Sequence, residues 1–85
     1  MFNVVVTYRA PKFTSINRVF LKDEAINKAV KRKPDEIDYD PNKEERQMIF
    51  KFILRMLADK AIRNIRKLKI RNLSVKLTLT TEILP

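Results

Sequence analysis

Not one of the 85 residues is glycine, although average usage would place about six in a chain of this length. Every backbone position therefore carries a Cβ or a proline ring. Walker-type loops, dinucleotide-binding turns and KH-type GxxG clamps all need glycine to bring the backbone close to phosphate, so none of them is available. Two-residue Asn-Gly and Asp-Gly hairpins are unavailable for the same reason. Cysteine and histidine are also absent, which removes disulfides, cysteine-containing zinc sites and the commonest nitrogen ligand of metals. Ser15 and Ser74 then have no histidine to activate them, and a carboxylate pair for acid–base work has to come from a single acidic stretch. A non-catalytic protein without cofactor or metal is the expectation. Asp38 and Asp40 have spacing that suits a divalent cation, but without a scaffold they make a poor site.

Length sets the scale of the fold. A chain of 85 residues forms one domain, residues 1–85, and buries only roughly 60–65% of its unfolded surface. Its longest apolar runs, such as Val4 to Val6, are far shorter than the roughly 20 residues of a membrane-spanning helix. Met1 leads straight into a strand-like pattern with no secretory h-region, so a cytoplasmic location is expected.

Phe2, Val4, Val6 and Tyr8 alternate against Asn3, Val5, Thr7 and Arg9, the period of a strand with one buried face. Pro11, Thr14 and Ser15 interrupt it. Ile16 to Leu21 then reads as a second strand, with a helix starting after Ser15 as the competing reading. A short helix follows from an Asp23 cap, carrying Ala25, Ile26, Ala29 and Val30 on one face until Pro34. The acidic stretch Pro34 to Asn42 reads as a connector that ends in a helix start, with Asp40 as cap and Pro41 at the first helical position. A long helix to about Lys69 is expected next, with Phe50, Ile53, Leu54, Leu57, Ala58, Ala61, Ile65 and Leu68 on its core stripe. Leu73, Val75, Leu77, Leu79 and Ile83 alternate as a final strand. The expected fold is thus α+β in the order β-β-α-α-β, a three-stranded, mostly antiparallel sheet packed against one long helix. Two strands with three helices is the alternative.

Charge is segregated along the chain. Residues 1–33 hold eight basic and two acidic side chains, residues 34–45 one and six, and residues 46–85 ten and two, which together make the net +9. Two basic clusters stand out: Lys31, Arg32 and Lys33, and a run through Arg63, Arg66, Lys67, Lys69 and Arg71, with Arg55 also off the core stripe. Side chains of this kind neutralise phosphates and release counterions, so nucleic-acid backbone binding is the leading functional expectation. The competing account is that both clusters sit at helix C-termini, where cations complement the dipole. No glycine-containing RRM signature is present, and Tyr8, Phe13, Phe20 and Tyr39 are scattered, so contacts to backbone rather than stacked bases are expected.

Met48, Phe52 and Met56, with Ile49 beside them, form a second apolar stripe if residues 48–56 are helical. Either the short helix covers it or it is an interface. The second expectation is therefore a protein-binding modulator or structural subunit, as a homodimer or within a larger assembly, that docks through this Met-rich strip. The glycine-free composition rich in lysine, isoleucine and asparagine suits a viral or mobile-element protein of an AT-rich genome.

Overall fold

The computed structural model describes residues 1–12 and 14–80. Its elements run β1 (Phe2–Arg9), α1 (Ile16–Val30), β2 (Glu36–Asp40), β3 (Glu45–Phe52), α2 (Arg55–Arg66) and β4 (Ser74–Leu79). The four strands form one antiparallel sheet in the order β2-β3-β1-β4, and both helices cover one of its faces. This is the β-α-β-β-α-β connectivity of the split β-α-β, or ferredoxin-like, arrangement. The α+β class holds, but the sheet has four strands rather than three and the single long helix is replaced by a strand and a shorter helix.

Period-two alternation explains the central strands. Val4 lies between Phe50 and Leu77, and Val6 between Met48 and Val75; these side chains face the helices and are the heart of the core, with Tyr8, Ile26 and Ile65. Val5, on the other face, is also buried, in register between Ile49 and Lys76. A flanking pair of strands, rather than a second layer, shields it.

Three sequence expectations change. Ile16 to Leu21 belongs to α1 rather than to a strand: Ser15 is the N-cap, its side chain accepting from the Arg18 N–H at 3.4 Å. Asp23, expected to start that helix, lies inside it and is committed to a tertiary ion pair. The acidic connector is edge strand β2, and Asp40 with Pro41 opens a hairpin instead of a helix, because the Asp40 carboxylate accepts from the N–H groups of Asn42 (2.9 Å) and Lys43 (3.3 Å). Residues 45–52 satisfy a helical and a strand period at once. The strand wins because Arg46, Met48, Phe50 and Phe52 can all point inward only with period two. Phe13 and Ile83, both used in the sequence reading, lie outside the described residues.

Without glycine, the turns place ordinary residues in the left-handed region: Lys31 (φ 66°), Glu44 (φ 52°) and Asn72 (φ 57°). Lys31 ends α1, its N–H reaching the Asn27 carbonyl at 2.7 Å. Glu44 closes the β2–β3 hairpin, and its carbonyl accepts from Ala10 N–H at 2.7 Å. Asn72 turns the chain from α2 into β4.

Candidate functional site

The antiparallel strands give the sheet two ends, named here by the termini of β1. At the Phe2 end lie the end of α1, the end of β3 and the start of α2. At the Arg9 end lie the start of α1, the end of α2, the start of β4 and, with Asp40, Glu44 and Glu45, the β2–β3 hairpin. The two ends are about 24 Å apart, the span of an eight-residue strand.

The two predicted basic clusters fall on opposite ends. Lys31, Arg32, Lys33 and Arg55 are at the Phe2 end, and two of them are occupied. Arg32 pairs with Asp35 at 2.6 Å, donates to the Lys51 carbonyl at 2.9 Å and stacks over the Phe52 ring at 5.1 Å. Arg55 pairs with Asp59 at 3.8 Å, and nearby Lys51 with Glu36 at 3.4 Å. Arg66, Lys67, Lys69 and Arg71 are at the Arg9 end, with Arg63 one turn before them on α2. The clusters do not merge into one surface, because α1 and α2 run antiparallel and their C-termini point apart.

The fold adds cations to the Arg9 end that the sequence reading left out. A cavity of about 370 Å³ is lined by Arg9 from the end of β1, Pro11 and Thr14 from the β1–α1 loop, Arg18 and Lys22 from α1, and Arg71 and Asn72 from the α2–β4 loop. Four cations and no carboxylate line it. Among the described residues none of these four takes part in an ion pair. Of the predicted residues only Arg71 lines the cavity. Arg18 and Lys22 form an i, i+4 pair that becomes visible once residues 16–22 are read as helix. Arg9 becomes visible once it is placed at a strand end.

The one inward-facing carboxylate on α1 is kept away from the cavity by interior partners. Asp23 accepts from the Arg46 guanidinium at 2.7–3.1 Å and from the Tyr8 hydroxyl at 2.6 Å. Burial, and then the bond to Asp23, push the Tyr8 phenol well above its usual range. The same carboxylate, through its hydrogen bond, raises the Arg46 guanidinium further. Lys22, which lines the cavity, sits with its ammonium 5.5 Å from the centre of the Tyr8 ring. Glu45, opposite Arg9 in the register, lines a neighbouring hollow with Lys43.

The open face of the sheet has a different character. Alternation puts Asn3, Val5, Thr7 and Arg9 of β1 and Glu45, Gln47, Ile49 and Lys51 of β3 on it. No aromatic residue of β1 or β3 stands on this open face to stack a base, and the Glu36, Asp38 and Asp40 carboxylates of β2 and the Lys76 ammonium of β4 are on it too. Tyr8 is buried on the helix side, and the Tyr39 hydroxyl donates to the Ala10 carbonyl at 2.8 Å.

The second apolar stripe is dispersed. Met48 and Phe52 are core residues of β3, at 0% and 7% exposure, Ile49 is on the opposite face, and Met56 stands on α2 at 76% exposure. The exposed apolar residues Ile53, Leu54, Met56 and Leu57 instead gather at the β3–α2 junction. No group of three or more potential metal ligands occurs among the described residues, and no described helix is long and apolar enough to cross a membrane. Comparison with protein-family models, curated proteins and solved structures finds no match to this chain.

Proposed function

We propose that this is a non-catalytic nucleic-acid-binding protein that grips the phosphate backbone with the Arg9 end of its fold. The observation that carries the reading is the position of Arg18 and Lys22. Cations at a helix C-terminus complement the dipole, and this accounts for Arg66 and Lys67. Arg18 occupies the first turn of α1, where the dipole favours anions and which contains no acidic residue, and Lys22 follows one turn later on the same face. Arg9 and Arg71 share the cavity with them. Helix stability and solubility do not call for four unpaired cations there, whereas a phosphate backbone does. Contacts are to phosphate and sugar, with little sequence preference, since no base-stacking platform accompanies them. The proposed setting is cytoplasmic.

Anisotropy titrations with labelled single-stranded and duplex oligonucleotides test the reading. With four to six phosphates engaged, the plot of log K against log salt is expected to have a slope of about −3 to −5. A combined Arg18→Ala and Arg71→Ala variant should flatten it, while Lys31→Ala should leave it nearly unchanged. Absence of binding even at low salt removes the proposal.

A second reading, protein contact, is favoured by the Ile53, Leu54, Met56 and Leu57 patch at the opposite end. In this reading two copies meet through the patch. Light scattering of the wild type and a Met56→Asp variant checks it, since Met56 is not in the core: a dimer in the wild type and a monomer in the variant support it, and a wild-type monomer sets it aside.

A further inference from the structure

We infer that the cavity at the Arg9 end holds the terminal phosphate of a nucleic-acid strand, the strand then running outward along the exposed cations that follow α2. The inference rests on the nucleic-acid reading and specifies what that site recognises. Shape is the first argument. Four separate segments wall the cavity: the end of β1, the β1–α1 loop, the first turns of α1 and the α2–β4 loop. The hollow is partly open to solvent, so a chain end can rest against these segments while the rest of the strand leaves through the opening. At about 370 Å³ the recess is larger than a bare phosphate and falls within the range of small-molecule sites, so it has room for the phosphate with part of its own nucleotide.

Charge is the second argument. An internal phosphodiester carries one negative charge, and set among Arg9, Arg18, Lys22 and Arg71 it would leave most of the positive charge uncompensated. A terminal phosphate monoester carries about −1.5 to −2 at neutral pH and has three acceptor oxygens. It can take bidentate bonds from the guanidinium groups and a point charge from the ammonium of Lys22. Thr14 and Asn72 add a hydroxyl and an amide to the lining. Asp23, the inward carboxylate of α1, cannot compete for these cations because Arg46 and Tyr8 already hold it.

Continuity is the third argument. Arg71, a wall of the cavity, is separated by one residue from Lys69, which follows Lys67 and Arg66, and all three of these are exposed. A strand whose end is seated in the cavity meets this row next.

The test compares single-stranded oligonucleotides of one sequence carrying a 5′-phosphate, a 3′-phosphate or hydroxyls at both ends, in competition against a labelled hydroxyl-ended strand. One phosphorylated form is expected to bind about tenfold tighter than the hydroxyl-ended strand, and which one it is reports the strand's polarity. Arg18→Ala should abolish that preference, bringing all three strands to one common and weaker affinity. Lys28→Gln, an equal loss of charge on the solvent side of α1, should keep it. Equal affinity for all three ends overturns the inference but leaves backbone binding standing. No binding of any strand at low salt overturns both. A preference that survives Arg18→Ala with full strength would place the end elsewhere and also overturn it.

Discussion

Reversing the charge of Arg18 should make the free protein more stable and its complex weaker. Arg18 is in the first turn of α1, where a cation opposes the helix dipole by about 0.3–1 kcal/mol and an anion gains a similar amount. Arg18→Glu changes one into the other, about 0.6–2 kcal/mol in all, and puts a carboxylate four residues before Lys22 for about 0.2–0.5 kcal/mol more. Relief of repulsion from Arg9 and Arg71 acts in the same direction. Solvent screening reduces these terms, so a net gain of about 1–2 kcal/mol is expected, and each kcal/mol raises Tm by about 4–8 °C in a domain of this size. Circular dichroism melts at low salt measure it. Because the effect is electrostatic, most of the gain should vanish in 1 M NaCl, where the Debye length is about 3 Å. An unchanged or lower Tm at low salt, or an equal gain at both salt concentrations, would show that these cations are not in electrostatic conflict, and the functional argument would lose its support.

Tyr8→Phe removes the hydroxyl bonded to Asp23 at 2.6 Å and should cost about 1–2 kcal/mol in chemical denaturation, since Arg46 still holds the carboxylate. The same variant tests a pH effect. Ionisation of Tyr8 is harder in the folded chain than in the unfolded one, so its contribution is complete below about pH 10 and is lost as pH rises above that value; the alkaline decline of wild-type stability should be shallower in Tyr8→Phe. Glu44→Gly places glycine at φ 52° in the β2–β3 turn and should stabilise by about 0.5–1 kcal/mol, the relief of a left-handed Cβ less the added flexibility of the unfolded chain. A destabilised Glu44→Gly would mean that the Glu44 side chain, rather than its backbone conformation, holds the hairpin.

The sequence carried β1 and β4 plainly, because Phe2 to Tyr8 and Leu73 to Leu79 alternate with no competing period. It carried part of the core face of α2: Ala58, Ala61 and Ile65 are buried, whereas Ile53, Leu54 and Leu57 of the same expected stripe are exposed. Residues 48–56 misled for a specific reason: Met48, Phe52 and Met56 are four apart, and so also are every second pair of an alternating strand. Local pattern cannot separate these, and the decision comes from pairing with β1 and β2, contacts remote in sequence. The site suffered from the same limit. Arg9 and Arg71 are 62 residues apart, and with Arg18 and Lys22 they share a cavity only because the helices are antiparallel. Reading charge by runs found Lys31 to Lys33, whose central member is tied to Asp35, and passed over isolated cations that the fold assembles.

The distribution of carboxylates then restricts how a polyanion can approach. Every acidic side chain from Glu36 to Glu45 lies on β2, on the hairpin after it or at the start of β3, and Glu36, Asp38, Asp40 and Glu45 face the open side of the sheet. Three of the ion pairs, Arg32–Asp35, Lys51–Glu36 and Arg55–Asp59, consume cations at the Phe2 end. The open face carries Glu36, Asp38, Asp40 and Glu45 beside Arg9, Lys51 and Lys76, and the Phe2 end is partly neutralised. Asp40, Glu44 and Glu45 occupy the hairpin side of the Arg9 end, so the unpaired cations concentrate on its other side, formed by α1 and the α2–β4 loop. On the proposed reading, a polyanion approaches from the α1 and α2–β4 side of this end rather than over the sheet, because the carboxylates are gathered on β2 and its hairpin. If the proposed site is the one used, Asp38→Asn together with Asp40→Asn should speed association with an oligonucleotide and leave the proposed preference for a phosphorylated end intact, since the first depends on the whole field and the second on the cavity alone.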